Sequence, residues 1–380
     1  LKKARAAKDA FLLNGGHVDA GAYRYELFEG DVNGSGESWF LRTPKVNPYR
    51  TDLPLYTTLP NLVRQGDVAM LGNLHRRVGD DDLNLQDGQR TINGWGGDGR
   101  RAWGRLIGGN LSSHQAGSAV DTDAHTTYGG FQTGVDLYAD DRWAAGLYTG
   151  LMHGRNRVTG SQPAGVFEAG SSELDSYYLG GYATYANSAN GFYTDLVLQH
   201  GLHEFTPEAA GTMATGSNGT GGRSLTASVE VGQAFKLGRD SDWTVEPQAQ
   251  LIVQRAKFDD ASITGAVVQQ DAATAAIGRI GVRVKGDFAT SLGRFQPYGR
   301  LNLWHGFAGK DTTKFVGPAA TTAAESAFGY TALEAAAGFT LKLTGTTSVY
   351  GELGRTFKTS HGDAQIKSSV QGSVGVKWNF

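Results

Sequence analysis

The chain reads as an all-β protein. Residues 99–380 are expected to form a 12-stranded antiparallel transmembrane β-barrel, preceded by a pore-plugging linker α-helix and a short N-terminal β module. Three observations predict this. Over residues 365–380, Ile366, Val370, Val374, Val376, Trp378 and Phe380 alternate with Gln365, Lys367, Ser369, Gln371, Ser373, Lys377 and Asn379, so a strand there has one apolar and one polar face. From Gly99 onward, such segments are joined alternately by short turns and by long connections rich in Gly, Ser, Thr and Ala. No run of about 18 apolar residues occurs, so no helical span is indicated, and two-faced strands of about 9–11 residues suffice to cross a bilayer.

Composition narrows the function classes. The 380 residues carry a net charge of −2, which gives no reason to expect a nucleic-acid partner. Cysteine is absent, which removes disulfides, thiol nucleophiles and cysteine-held metals. No cofactor is called for. Leu1-Lys2-Lys3 leads into charged residues rather than an apolar leader core. An exported protein needs a leader, so the chain is expected to be the C-terminal part of a longer precursor.

Taken in order, residues 1–52 contain a strand-like run, Ala22-Tyr23-Arg24-Tyr25-Glu26-Leu27-Phe28. A Gly/Asn/Asp turn follows, then Trp39-Phe40-Leu41. Pro44, Pro48, Pro54 and Pro60 predict an extended connector over 44–60. The linker 53–98 holds the one expected helix, residues 61–78, with Met70, Leu74 and Val78 at i, i+4, i+8 and with Arg64, Arg76 and Arg77 as cations. Asp80, Asp81 and Asp82 lead into Asn93-Gly94-Trp95-Gly96-Gly97-Asp98-Gly99, which lacks the Lys-Ser/Thr pair of a phosphate loop.

Twelve strands are expected near 100–112, 125–139, 142–157, 172–187, 191–206, 222–237, 242–259, 273–289, 293–308, 326–343, 346–358 and 365–380. Short turns such as Asp140-Asp141 alternate with long loops near 113–124, 158–171, 207–221, 260–272, 309–325 and 359–364. The polar faces carry Asp136, Asp195, Glu230, Glu246, Glu334 and Glu352 beside Arg105, Arg279, Arg283, Arg300 and Lys377. A dry soluble core rejects so many charges, whereas the inside of a barrel accepts them as a hydrated, salt-bridged lumen. Pro247 and Pro297 fall inside strands and predict irregular ladders there. Twelve strands enclose a space between a side-chain-filled and an open barrel. One helix, about 10–12 Å across, suits such a space, and Arg64, Arg76 and Arg77 are expected to meet the lumen carboxylates.

The whole chain resembles the translocator of a type V secretion autotransporter of the AIDA/pertactin kind. Gly21, Tyr23, Tyr25, Leu27, Trp39, Phe40 and Leu41 match the Gly-x-Tyr-x-Tyr-x-Leu and Trp-aromatic-Leu hallmark at the end of a passenger β-helix. Ser373, Gly375, Trp378 and Phe380 match the terminal assembly signal of outer-membrane proteins. The resemblance implies a monomeric outer-membrane anchor, in contact with outer-membrane lipid, that exports its own passenger. Barrel-assembly machinery and periplasmic chaperones are the further partners it implies. Some relatives cleave themselves at an Asn-Asn-Leu-Asn-Lys-Arg motif on the helix. This chain reads Gly72-Asn73-Leu74-His75-Arg76-Arg77, with Gly72 in place of the cyclising Asn, so no cleavage by that route is expected.

Two rivals share parts of the pattern. A general diffusion porin has the alternation but no need of a passenger tail or helix. An outer-membrane enzyme barrel needs a catalytic constellation, and no Gly-x-Ser-x-Gly elbow is present. His200-x-x-His203 lacks an evident third ligand for a metal. Asn218-Gly219-Thr220 matches a glycosylation sequon by composition of a Gly/Ser/Thr loop.

Overall fold

A computed structural model describes residues 11–36, 38–79, 100–187, 189–210, 219–238, 241–359 and 362–380. Asp80, Asp81, Asp82, Asn218 and the Gly-rich stretch 93–99 lie outside the described residues. The chain begins with a small antiparallel sheet of β1 (Val18–Ala20), β2 (Tyr23–Glu29) and β3 (Trp39–Arg42). Three helical segments follow: α1 (Leu53–Thr57), α2 (Leu59–Leu71) and α3 (Leu74–Val78).

The barrel strands come next. They are β4 (Arg101–Gln115), β5 (Asp121–Ala139), β6 (Trp143–Gln162), β7 (Gly165–Asn187), β8 (Phe192–Ala209), β9 (Thr220–Gln233) and the short β10 (Phe235–Lys236). After them lie β11 (Trp243–Phe258), the hairpin β12 (Ala261–Ile263) and β13 (Ala266–Asp271), β14 (Ala275–Gly286) and the short β15 (Phe288–Thr290). The last are β16 (Gly293–Val316), β17 (Thr321–Lys342), β18 (Thr347–Lys358) and β19 (Ala364–Asn379). Leaving aside β10, β12, β13 and β15, the described strands from β4 onward are twelve staves, each antiparallel to its neighbours. The ring closes because β19 pairs with β4 from Asn379↔Arg101 to Ala364↔Gln115, while β14 joins β11 to β16.

The wall is two-sided. Leu198 is 55% exposed and its neighbour Gln199 is 0% exposed, which fixes the apolar parity outward and the polar parity inward. Leu196, Leu251, Ile280, Leu301 and Leu353 repeat this on other staves. An apolar exterior around a polar interior inverts the arrangement of a soluble barrel and matches a bilayer-spanning one. Phe380 N–H donates to Arg100 O at 2.9 Å, so both ends of the wall meet at the rim of short turns. At the opposite rim, the N-terminal sheet rests on the tip of the β12–β13 hairpin. Gly21 N–H donates to Gly265 O at 3.0 Å, and the Arg50 guanidinium donates to Thr264 O at 3.0 Å while pairing with Asp52.

Three expectations need correction. The helix does not begin at 61, and the connector 44–60 is not extended throughout, because Pro54 and Pro60 occupy first-turn positions of α1 and α2. There a missing N–H costs nothing and a fixed φ favours the helix. The helix is also not continuous to Val78: Gly72, at φ 62° and ψ −145°, ends α2, and Asn73 caps α3 by accepting from Arg76 N–H at 2.9 Å. Several long loops are extended strand instead. The loop read at 158–171 is a hairpin that turns at Pro163-Ala164, and the loop read at 309–325 pairs out to Val316↔Thr321. The irregularities expected at Pro247 and Pro297 appear in their neighbours. Each proline sits opposite a break, between β9 and β10 for Pro247 and between β14 and β15 for Pro297.

Candidate functional site: the helix-filled lumen

The helical segments occupy the lumen, and their cations reach the wall. Arg77 on α3 donates two bonds to Asp195, at 2.8 and 2.9 Å, and lies over the Tyr182 ring at 4.8 Å. Thr184 Oγ1 donates to the same carboxylate at 2.6 Å. Arg76 pairs with Glu352 at 3.3 Å, and Glu352 also accepts from Arg300 at 2.8 Å. Arg300 in turn reaches Glu334 at 2.9 Å. His75 lies 2.9 Å from Glu246, which pairs with Arg283 at 3.0 Å. Arg64 on α2 makes a fork with Asp311, at 2.5 and 2.7 Å, and stands over Phe328 at 4.2 Å.

Other wall charges hold backbone or each other. Arg279 lies 3.1 Å from Glu230, which accepts from Tyr193 at 2.8 Å and faces Leu74 N–H at 3.4 Å. Asp136 pairs with Arg101 at 2.6 Å and accepts from Tyr182 at 2.6 Å. Arg105 spans the helix break, donating to Met70 O at 2.7 Å and Arg76 O at 3.2 Å while Gln132 accepts from it at 2.7 Å. It thereby satisfies one carbonyl in the last turn of α2 and one in α3. A side chain at position 72 meets this cation directly, since a Cβ there lies 3.0 Å from both Arg105 Nη atoms.

Asp67 was not singled out in the sequence, yet it is buried at the centre of α2's contact with the wall. Ser224 and Thr226 hydroxyls donate to it at 3.1 and 3.0 Å, and His203 Nε2 lies 3.6 Å away. Close packing backs these polar contacts. A Cβ at Gly66 falls 2.6 Å from Met152 Cε, so a larger residue there requires the Met152 side chain to move.

A cavity of about 70 Å³ lies between α2 and the wall near Tyr128, Tyr330 and Gln371. His200 faces outward and His203 inward, as i and i+3 must on a strand, so the pair does not converge on a metal. Among the described residues no cluster of three potential metal ligands occurs.

The remaining sequence-selected residues sit at the two rims. Tyr23 stacks on Tyr49 at 5.3 Å, Tyr25 pairs with Val18, Leu27 with Leu41, and Trp39 with Glu29. Phe40 and Leu41 are exposed. Ser373, Gly375 and Trp378 lie on β19 at the closing seam, Gly375 directly beneath the Tyr350 ring, and Trp378 meets Phe380 at 5.3 Å.

A closed barrel with an apolar exterior and its own preceding helix inside the lumen is the architecture of an outer-membrane barrel. The family model described as Autotransporter beta-domain matches residues 102–354, and the chain belongs to that family. It is 30% identical over 341 residues to the Adhesin BmaC autotransporter of Brucella suis biovar 1 (strain 1330), covering 80% of this chain and 10% of that protein. It is 31% identical over 230 residues to the Pertactin autotransporter of Bordetella bronchiseptica (strain ATCC BAA-588 / NCTC 13252 / RB50), covering 58% of this chain and 23% of the relative. The chain therefore spans only a small part of the length of these relatives. The transport unit of the autotransporter AIDA-I from Escherichia coli shares the fold, with a TM-score of 0.64 at 18% identity over 87% of this chain and 100% of that one. The protein is an outer-membrane β-barrel of the autotransporter β-domain family from a Gram-negative bacterium.

Proposed function

We propose that the chain is the anchoring and exporting end of a longer surface protein, and that α1–α3 seal the pore once the passenger has left. Residues 1–52 are then the passenger's last segment, 53–98 the linker with its pore helix, and 99–380 the barrel. The observation that carries this reading is the set of ion pairs from Arg64, Arg76 and Arg77 to three different regions of the wall. A helix merely passing through has no need of matched, buried partners. An adhesive passenger is the reading favoured by the Brucella relative's name.

Ser373, Gly375, Trp378 and Phe380 are read as the signal for barrel-assembly machinery after delivery by periplasmic chaperones. Leu198, Leu251 and Leu301 belong to the band that meets outer-membrane lipid. The barrel acts as a monomer in this reading.

The small N-terminal sheet is read as the part of the passenger that folds first and blocks return. Its seat on the β12–β13 hairpin supports this, because a folded sheet at the rim is too wide to re-enter the lumen. Deleting residues 11–50 should leave insertion unchanged and lower the amount of passenger accessible to protease on intact cells. Undiminished display would refute this role.

The absence of Asn cyclisation is also a proposal. Gly72 has no nucleophile, and its φ of 62° with ψ −145° is a conformation that side chains rarely adopt. The purified wild-type chain should therefore keep its uncut mass, and Gly72→Asn should cost about 1–3 kcal/mol of stability through backbone strain. A new N-terminus at residue 73 in the wild type would overturn the proposal.

A further inference from the structure

Three cations stand together on the outer surface of the barrel, just beyond the apolar band. Arg223 on β9 lies directly opposite Lys257 on β11, and Arg255 lies opposite Leu225, one outward position closer to the band. All three are exposed. Like charges paired directly across two antiparallel strands repel one another and destabilise the ladder. The register places two carboxylates nearby: Glu204 opposite Gly221, and Asp259, whose N–H donates to Gly221 O at 2.9 Å. Among the described residues, neither forms an ion pair with the three cations.

Three other cations of the outer surface have carboxylate partners: Arg155 lies 3.6 Å from Glu208, Lys367 2.8 Å from Asp123, and Lys310 2.8 Å from Glu325. The Arg223–Arg255–Lys257 group carries three positive charges against the two negative charges of Glu204 and Asp259 and, among the described residues, makes no ion pair with them.

A second feature adjoins it. The outward face from β5 to β11 is hollowed, because Gly181, Ala183 and Ala227 stand where neighbouring staves carry leucines. Leu198, Leu225 and Leu251 flank this open recess of about 940 Å³, and Leu225 ends it directly beside Arg255. A hydrocarbon-lined trough whose end lies beside three cations in excess of their neighbouring carboxylates fits a ligand that is anionic at one end and acylated at the other.

We propose that this surface is a binding site for a phosphorylated, multiply acylated lipid of the outer leaflet. Phosphate sits among Arg223, Arg255 and Lys257, and acyl chains lie in the recess. Guanidinium groups suit phosphate because their N–H donors match its oxygens in pairs. The cations lie toward the rim that carries the β12–β13 hairpin, away from the Arg100–Phe380 end, which places them in the outer rather than the inner leaflet. This inference rests on the barrel standing in an outer membrane. It does not depend on the helix being a seal, so either can fail alone.

The test uses the whole chain in phosphatidylcholine nanodiscs, titrated with a bisphosphorylated, hexa-acylated glucosamine disaccharide. Arg223→Gln/Arg255→Gln/Lys257→Gln should bind it about a hundredfold more weakly, at about fivefold for each cation removed at an anionic surface. Lys367→Gln, which removes a cation already paired with Asp123, should bind as the wild type does. The same lipid stripped of phosphate should bind the wild type as weakly as the triple variant binds the intact lipid. Inorganic phosphate should fail to displace the lipid, because it lacks the acyl chains. If the triple variant does not assemble, Arg255→Gln alone carries the test, with a fall of about fivefold. Equal affinity in wild type and variant, or displacement by inorganic phosphate alone, would overturn the proposal.

Discussion

Replacing Arg77 with alanine is expected to destabilise the folded domain by about 3–5 kcal/mol, the usual cost of leaving a buried partner charge uncompensated. The magnitude follows from the site. Arg77 is 0% and Asp195 2% exposed, and the two share a fork of bonds at 2.8 and 2.9 Å. Without the guanidinium, Asp195 is left with the Thr184 hydroxyl as its donor from the wall. The midpoint of urea-induced unfolding in lipid vesicles reads the loss. Arg77→Leu with Asp195→Leu should recover most of it, because a pair of apolar side chains removes both desolvated charges at once. Failure of the double substitution to recover stability would mean that Arg77 acts through Tyr182 or through its own backbone. The backbone route is concrete, since Tyr350 donates to Arg77 O at 2.6 Å.

Much of this arrangement is legible in the residue order, for a simple reason. A strand has a period of two, so parity alone assigns each residue to lipid or lumen. Arg105, Asp136, Asp195, Glu230, Glu246, Arg279, Arg283, Arg300, Glu334 and Glu352 are all buried. Parity says nothing, however, about which charge meets which. Asp67 escaped notice because a lone carboxylate in a helix has no periodic signature, and its hydroxyl partners lie 157 and 159 residues away. Asp311, the partner of Arg64, was hidden by the composition around Gly309 and Lys310, which reads as loop. Cross-strand pairing extends β16 through it regardless. The helix start is hard to read because Pro54 and Pro60 look like breakers, although proline's first-turn role is equally physical. The break at Gly72 was invisible because a single glycine inside a helical pattern is usually tolerated; here Arg105 on β4 bridges the interruption from outside the helix.

Emptying the lumen is the second change with a large expected effect. Residues 53–78 place three helical segments against the inner wall, with a cavity of about 70 Å³ beside α2. A helix removed from such a barrel vacates a cylinder about 10–12 Å across, wide enough for hydrated ions. The inward-facing arginines and carboxylates left behind, among them Arg300, Glu334 and Glu352, would then line a wet channel.

Single-channel conductance in a planar bilayer tests the occluded barrel most directly. The whole chain should pass little current, and residues 100–380 alone, once shown to insert as a folded barrel, should conduct at least about tenfold more. Equal conductance of the two, whether high or low, would contradict a lumen closed by its own helix.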